Sequence, residues 1–158
     1  MNCLADAYAK AGRMEEAKKT REESLALYRK GLGPEHPDTI KWIASQALAH
    51  RNAGRYVEAV KAGEELLALR RKVLGPEHND TLSAMYNLGI SLRMAGRKEE
   101  SIAMLEKGLE LRRKVLGAED PATLITMREL GDSYEAAGRK DDAAKLRAEL
   151  EALKAKQK

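Results

Sequence analysis

Small and apolar residues recur three and four positions apart along nearly the whole chain. In one stretch they fall at Ala84, Met85, Leu88, Gly89 and Leu92, then at Ile102, Leu105, Leu109 and Leu116, the spacing of one buried face of an α-helix. The run breaks at Gly96, where a helix must stop and reverse, and glycine takes the left-handed position after a helix without steric cost. It breaks again after Leu116, at Gly117. Helices are therefore predicted near 1–11, 13–32, 37–53, 56–74, 79–95, 98–116, 121–137 and 140–156.

Both breaks are periodic. The first reads Ala11 Gly12 Arg13, Ala53 Gly54 Arg55, Ala95 Gly96 Arg97 and Ala137 Gly138 Arg139, each 42 residues from the last. The second reads Leu32 Gly33 Pro34 Glu35 His36 Pro37 Asp38 Thr39, then Leu74 Gly75 Pro76 Glu77 His78 Asn79 Asp80 Thr81, and in decayed form Leu116 Gly117 Ala118 Glu119 Asp120 Pro121 Ala122 Thr123. Two markers on one period define a repeat protein, in which each unit buries its apolar face against its neighbours. The fold class is all-α, an α-solenoid of antiparallel helical hairpins. One domain over 1–158 holds four repeats, about 1–36, 37–78, 79–120 and 121–158, with the first truncated.

The periodic positions also say how the helices meet. Ala5, Ala47, Gly89 and Gly131 share one phase, and Ala17, Ala59, Ser101 and Ala143 another. All are small, so the two backbones of a hairpin can approach closely, with Leu27, Leu69, Leu111 and Leu153 filling the space beyond. Asp120 and Pro121 form an N-cap and first-turn pair, Pro37 takes the same first-turn place, and Asp38 and Asp80 complement the helix dipole. Leu146, Leu150 and Leu153 make a narrow apolar stripe amid charge, which suits a capping helix.

Composition narrows the function. Apolar residues make up 43% and charged residues 34% of the chain, with no Phe and one Trp, so small aliphatics carry the packing. The 29 basic and 25 acidic residues nearly balance at +4, and neither a nucleic acid nor a membrane partner is expected from charge. Cys3 is the lone cysteine, which excludes an internal disulfide and leaves a reducing, cytoplasmic setting as the expectation. No apolar run reaches the roughly 18 residues of a membrane span. Met1 aligns with Met85 and Met127, inside what should be a first helix. The chain is therefore expected to be the C-terminal part of a larger protein, or an excision from one.

These residues resemble the tetratricopeptide repeat. Leu88 Gly89, Leu92, Gly96, Ser101 and Leu105 fall on its Leu-Gly, Tyr, turn-Gly, Ala and aromatic positions, and Leu130 Gly131, Tyr134, Gly138 and Ala143 follow the same pattern. The usual unit has about 34 residues. The longer unit here, with its Leu-Gly-Pro-Glu-His-Pro-Asp-Thr linker, is similar to the kinesin-light-chain type. Departures are Gln46 for the Leu, His50 for the Tyr, and Arg21, Gly63 and Arg147 for the large hydrophobic residue of the second helix. The second repeat is accordingly expected to be the loosest.

The resemblance implies a right-handed superhelix that binds protein segments along a concave face lined by the first helix of each unit. On that face it places Lys10; Lys41, Leu48, Arg51 and Asn52; Tyr86, Asn87, Ile90, Arg93 and Met94; and Arg128. Lys10, Lys41, Arg51 and Arg93 make three units basic, whereas Glu129, Asp132 and Glu135 make the last acidic. The family's ligand-gripping asparagine is matched by Asn87 alone. The expected occupant is a peptide with acidic residues near an apolar anchor; the alternative is a structural scaffold or self-association through an apolar face near Leu4, Tyr8 and Leu25. Arg29 Lys30, Arg70 Arg71 Lys72 and Arg112 Arg113 Lys114 either complement the negative helix ends or form a basic edge. His36 and His78 belong to the repeated linker and His50 replaces a packing residue, so no enzyme, metal site or cofactor is expected.

Overall fold

The computed structural model describes Ala5, Ala7, Tyr8 and residues 11–156, with the Met14 side chain excepted. After the helical Ala5, Ala7 and Tyr8, the described residues form seven helices: α1 (Met14–Leu32), α2 (Pro37–Asn52), α3 (Tyr56–Leu74), α4 (Asn79–Met94), α5 (Lys98–Leu116), α6 (Pro121–Ala136) and α7 (Lys140–Ala155). The expected boundaries of these seven helices hold to within about a residue; the bounds of the helix expected near 1–11 lie outside the described residues. α2 pairs with α3, α4 with α5 and α6 with α7, and consecutive hairpins stack in order.

The two kinds of break do different work. At the hairpin turn the Arg97 N–H donates to the Leu92 carbonyl at 2.9 Å and the Gly96 N–H to that of Arg93 at 3.0 Å. These two bonds make a Schellman cap around a left-handed glycine, at φ +80°. The arginine that follows then bridges to an acid one turn on, Arg97 to Glu100 at 2.6 Å and Arg139 to Asp142 at 2.8 Å. Between units the glycine is different. Gly75 has φ 90° and ψ 164°, an extended conformation open to glycine alone, so it does not end its helix as Gly96 does. The chain leaves sideways toward the next unit instead of folding back. Thr81 Oγ1 closes this exit by donating to the Gly75 carbonyl at 2.8 Å, and Thr39 does the same at Gly33. Thr123, equally buried, finds no such acceptor among the described residues.

The linker histidines are caps. His36 Nδ1 accepts the Asp38 N–H and His78 Nδ1 the Asp80 N–H, each at 3.1 Å, while Asp120 accepts from Ala122 at 2.8 Å. Lys72 and Lys114 reach back to Glu35 and Glu77 of the preceding linkers. Each linker is thus tied to the next.

Inside the hairpins the small residues meet as expected. Ala17, Ala59, Ser101 and Ala143 are all buried. A methyl group on Gly89 would lie 2.6 Å from Leu105 Cγ, and Ser101 Oγ donates to the Gly89 carbonyl at 2.8 Å. Two core clusters follow, one from Ile40 through Leu92 and one from Ile102 through Leu150. Leu69, Leu111 and Leu153 pack against them. Leu27 does not: it is 55% exposed, because α1 meets α2 more sparsely than α3 meets α4 or α5 meets α6.

The same seam corrects the expectation for the second repeat. Its hairpin, α2 on α3, is as closely joined as any other, and Leu88 Cδ1 sits 3.1 Å from where a Gly63 side chain would begin. The looseness lies one step earlier, where Arg21, Gln46 and His50 put polar groups into the junction of α1, α2 and α3. Burial, and then the neighbouring Arg55, hold the His50 pKa below its ordinary 6.5.

Gly89→Ala should destabilise the protein by about 1–3 kcal/mol through overpacking. Gly131→Ala, whose methyl would meet Arg147 at an ordinary 3.7 Å, should stabilise by up to about 1 kcal/mol; equal effects in urea titrations would contradict the close approach. A depressed histidine pKa favours the neutral ring in the fold, so its stabilisation is present above about pH 6.5 and is lost as pH falls below that toward the folded value. Unfolding measured at about pH 7.5 and about pH 5.5 should therefore show a smaller loss for His50→Leu than for the wild type, and identical losses would count against the buried ring.

Candidate peptide-binding groove

The first helices α2, α4 and α6 form one face of the stack. Between α2 and α4 that face opens into a cleft of ≈ 350 Å³. Ala44, Ser45, Leu48 and Arg51 of α2 form one wall and Ser83, Asn87 and Ser91 of α4 the other, over a floor of Ala59, Gly63 and Leu66 from α3. Gly63 stands in that floor where the next unit has Leu105, a buried side chain, and Leu88 packs against the place a side chain there would take.

Leu48, Arg51 and Asn87, three of the residues expected on this face, are brought together here. Arg51 Nη1 donates to Asn87 Oδ1 at 2.8 Å, and Asn87 Nδ2 donates to the Ser83 carbonyl at 2.9 Å. The asparagine matched to the ligand-gripping position therefore has its amide engaged within the protein, where it fixes the guanidinium. Arg51 pairs with no carboxylate among the described residues. Leu48 beside it is 47% exposed.

The other expected residues lie elsewhere, and the basic groove is narrower than charge counting implies. Arg93 is bound twice by Glu129, through Nε at 2.9 Å and Nη2 at 2.6 Å. Glu129 is itself buried, so Arg93 serves the fold. Arg147, which replaces an apolar residue, comes across from α7 to Asp132 at 3.1 Å and to Glu135, and the acidic face of the last unit is neutralised. Lys41 and Arg128 are exposed without lining the cleft, as are Asn52 and Met94 at helix ends. Ile90 and Tyr86 are half-buried; the Arg112 guanidinium lies 5.3 Å above the Tyr86 ring, and burial raises the phenol pKa. Lys10 falls outside the described residues.

Sequence reasoning missed Gly63 as a floor and Arg70 as a wall. Arg70 Nη1 donates to the Asp80 carbonyl at 2.7 Å, and Arg112, its counterpart 42 residues on, donates to the Ala122 carbonyl and Thr126 Oγ1, both at 2.6 Å. Arg29 and Arg113 pair with Glu65 and Glu149. Most of the basic runs, Arg29, Arg70, Lys72, Arg112, Arg113 and Lys114, thus stitch each unit to the next. The apolar face expected at the first unit also changes. Leu25 packs against the core, Tyr8 carries the Arg13 guanidinium 4.6 Å above its ring, and Leu4 is outside the described residues. No helix among the described residues is long and apolar enough to cross a membrane.

Comparison with known proteins places this geometry. The tetratricopeptide-repeat family model matches residues 1–51, 41–114 and 99–156. No curated protein matches the chain in sequence. Among solved structures, the nearly identical TPR-like repeats of a kinesin light chain candidate from Podosopora anserina align over 99% of this chain and 74% of theirs, at 30% identity with a TM-score of 0.84. A singly substituted form of that protein aligns at a TM-score of 0.83 with the same identity and coverage. BtubC (BKLC) from P. vanneervenii shares the fold at 22% identity and a TM-score of 0.80, over 98% of this chain and 61% of that one. The repeat period, the glycine-turned hairpins and these matches agree: the chain belongs to the tetratricopeptide-repeat family, whose repeats mediate protein–protein interaction.

Proposed function

We propose that this protein is a peptide-docking module that acts in the cytoplasm by binding alone, without catalysis, and that its site is the cleft between α2 and α4. The observation that carries the reading is a guanidinium held at the lip of an apolar-floored cleft. Arg51 is pinned by Asn87 at 2.8 Å, has no carboxylate partner among the described residues, and stands next to exposed Leu48. The segment that fits presents a carboxylate to Arg51 and a neighbouring apolar side chain to the cleft.

Magnitudes require both parts. An exposed ion pair contributes about 0.2–1 kcal/mol, whereas a micromolar complex needs roughly 8. Burying one aliphatic or aromatic side chain adds about 1.5–3 kcal/mol, so the segment must also continue along the face toward Ile90. The charge on Arg51 then gives orientation and a salt-sensitive on-rate.

Arg51→Glu should weaken binding of acidic, apolar-anchored peptides by about tenfold or more, equivalent to roughly 1.4 kcal/mol, with helicity unchanged. Arg93→Glu should act differently, by placing a second carboxylate against buried Glu129 and lowering stability by about 3–5 kcal/mol. Fluorescence anisotropy with a labelled peptide library, read beside circular dichroism, separates the two. Unchanged affinity in Arg51→Glu would overturn this site.

A further inference from the structure

The joint between α1 and the hairpin of α2 and α3 lies on the side of α2 away from the cleft. Trp42, Ile43, Gln46 and His50 line it, whereas Ala44, Ser45, Leu48 and Arg51 line the cleft. α1 meets α2 more sparsely than any other consecutive pair of the described helices, and α1, α2 and α3 leave ≈ 380 Å³ between them.

The hairpin turn sets the surroundings of His50. In each unit the N–H of the turn arginine donates to the carbonyl of the residue five positions before it: Arg13 to Tyr8 and Arg55 to His50 at 2.9 Å, and Arg139 to Tyr134 at 2.8 Å. In the first and last units that residue is a tyrosine, and the guanidinium lies 4.6 Å above the Tyr8 ring and 4.5 Å above the Tyr134 ring. An aromatic face attracts a cation. The second unit puts a histidine in the same register, with Arg55 close enough to act on its charge. A neutral imidazole tolerates that neighbour; an imidazolium repels it.

The ring is enclosed on another side as well. His50 Nδ1 is sealed from solvent and has no hydrogen-bond partner among the described residues. Whichever nitrogen carries the hydrogen of the neutral ring, protonation makes both of them donors. A cationic N–H is then buried without an acceptor, which costs more than a neutral group in the same place.

The charges around the ring come from every element packed on it. Arg55 in the turn and Arg21 on α1 oppose a positive ring, and Glu58 on α3 favours one. Lys18 and Glu22 of α1 and Lys61 and Glu65 of α3 border the same space, and α2 adds only the uncharged Trp42, Ile43 and Gln46. Arg21 stands where the third unit has the buried Leu105, so a second cation is particular to this joint. Burial first, and then Arg55, hold the His50 pKa below its ordinary 6.5. The neutral ring is the form that the closed joint keeps.

We propose that protonation of His50 opens the joint between α1 and α2, so that α1 parts from a stack whose later hairpins stay folded. The motion is the weakest one available. Besides its sparse contact with α2, α1 is held to α3 by the exposed pair Arg29–Glu65, whereas α2 and α3, α4 and α5, and α6 and α7 are closely joined. In the open joint the ring is solvated and titrates near 6.5, so closure is fully favoured above about pH 6.5. Each unit of pH below that, down to the pKa of the closed joint, favours opening by up to about tenfold for one proton. Opening uncovers Trp42 and Ile43, both buried in the closed form.

Trp42 is the one tryptophan of the chain and is 6% exposed, so acrylamide quenching of the full chain, taken with the emission lifetime, reads access to this joint. Quenching should be weak at about pH 7.5 and rise severalfold by about pH 5.5, while far-ultraviolet circular dichroism loses no more helicity than α1 contains. His50→Tyr, the residue of the first and last units at this register, should keep quenching flat over the same range. His50→Leu, the residue of the third unit, should do the same, and either variant decides the matter if the other does not fold. Arg55→Gln, which removes the cation beside the ring, should shrink the rise. Quenching that ignores pH would overturn the proposal. So would a rise that persists in a folded His50 variant, as titration of His36, His78 or a carboxylate would give, or one that follows loss of helicity across the whole chain.

Discussion

Two helix backbones meet within each hairpin at positions held by small residues, Ala17, Ala59, Ser101 and Ala143 among them, and the rest of the stack is built outward from there. Gly89 opposite Leu105 is the tightest instance, with Ser101 bonded across the gap to the Gly89 carbonyl. Close approach fixes the angle of the hairpin, and the angle decides which side chains project toward the next unit. Dispersion and burial at these small positions hold first helices in one row and second helices in another.

The second organising term is electrostatic and acts between units. Arginines near the ends of α2 and α4 reach the residue 36 positions ahead, Arg51 to Asn87 and Arg93 to Glu129. The outer helices repeat that reach with Arg29 to Glu65 and Arg113 to Glu149. Most such pairs are exposed and individually small, but they consume the charges that would otherwise define the surface. Arg51 differs because its partner is a neutral amide, which orients the guanidinium and leaves its charge available. The same position therefore holds an arginine on a carboxylate in one unit and on a neutral amide in another, and the proposed recognition rests on the second.

The fold was legible because it rests on residues with narrow conformational roles. Gly54, Gly96 and Gly138 mark reversals, Pro37 and Pro121 mark helix starts, and the small positions mark contacts, all on one period. The site was legible only in part. Leu48, Arg51 and Asn87 followed from the family resemblance, which puts the first helices on the concave face. That Arg93 is spent on Glu129 depends on the pitch between units, and that Arg147 crosses to Asp132 depends on how α6 and α7 pair within one unit; no local pattern in the chain encodes either. Gly63 was visible as a departure, but not that Leu88 would pack against it, so that the unit keeps its close joint. His50, Gln46 and Arg21 showed as isolated exceptions, and only the meeting of α1, α2 and α3 puts them around one cavity.

Recognition in the cleft between α2 and α4, with Arg51 as its fixed charge, is tested most directly by a map of backbone amide shifts. The isotope-labelled 17.5 kDa protein would be followed as an acidic, apolar-anchored peptide is added. The largest changes are predicted at Ser45, Leu48, Arg51, Ser83 and Asn87, with little at Glu22, Glu58 and Lys61 on the other side of α2. Shifts concentrated on that outer side, or a peptide that demonstrably binds while these five amides stay unmoved, would contradict it.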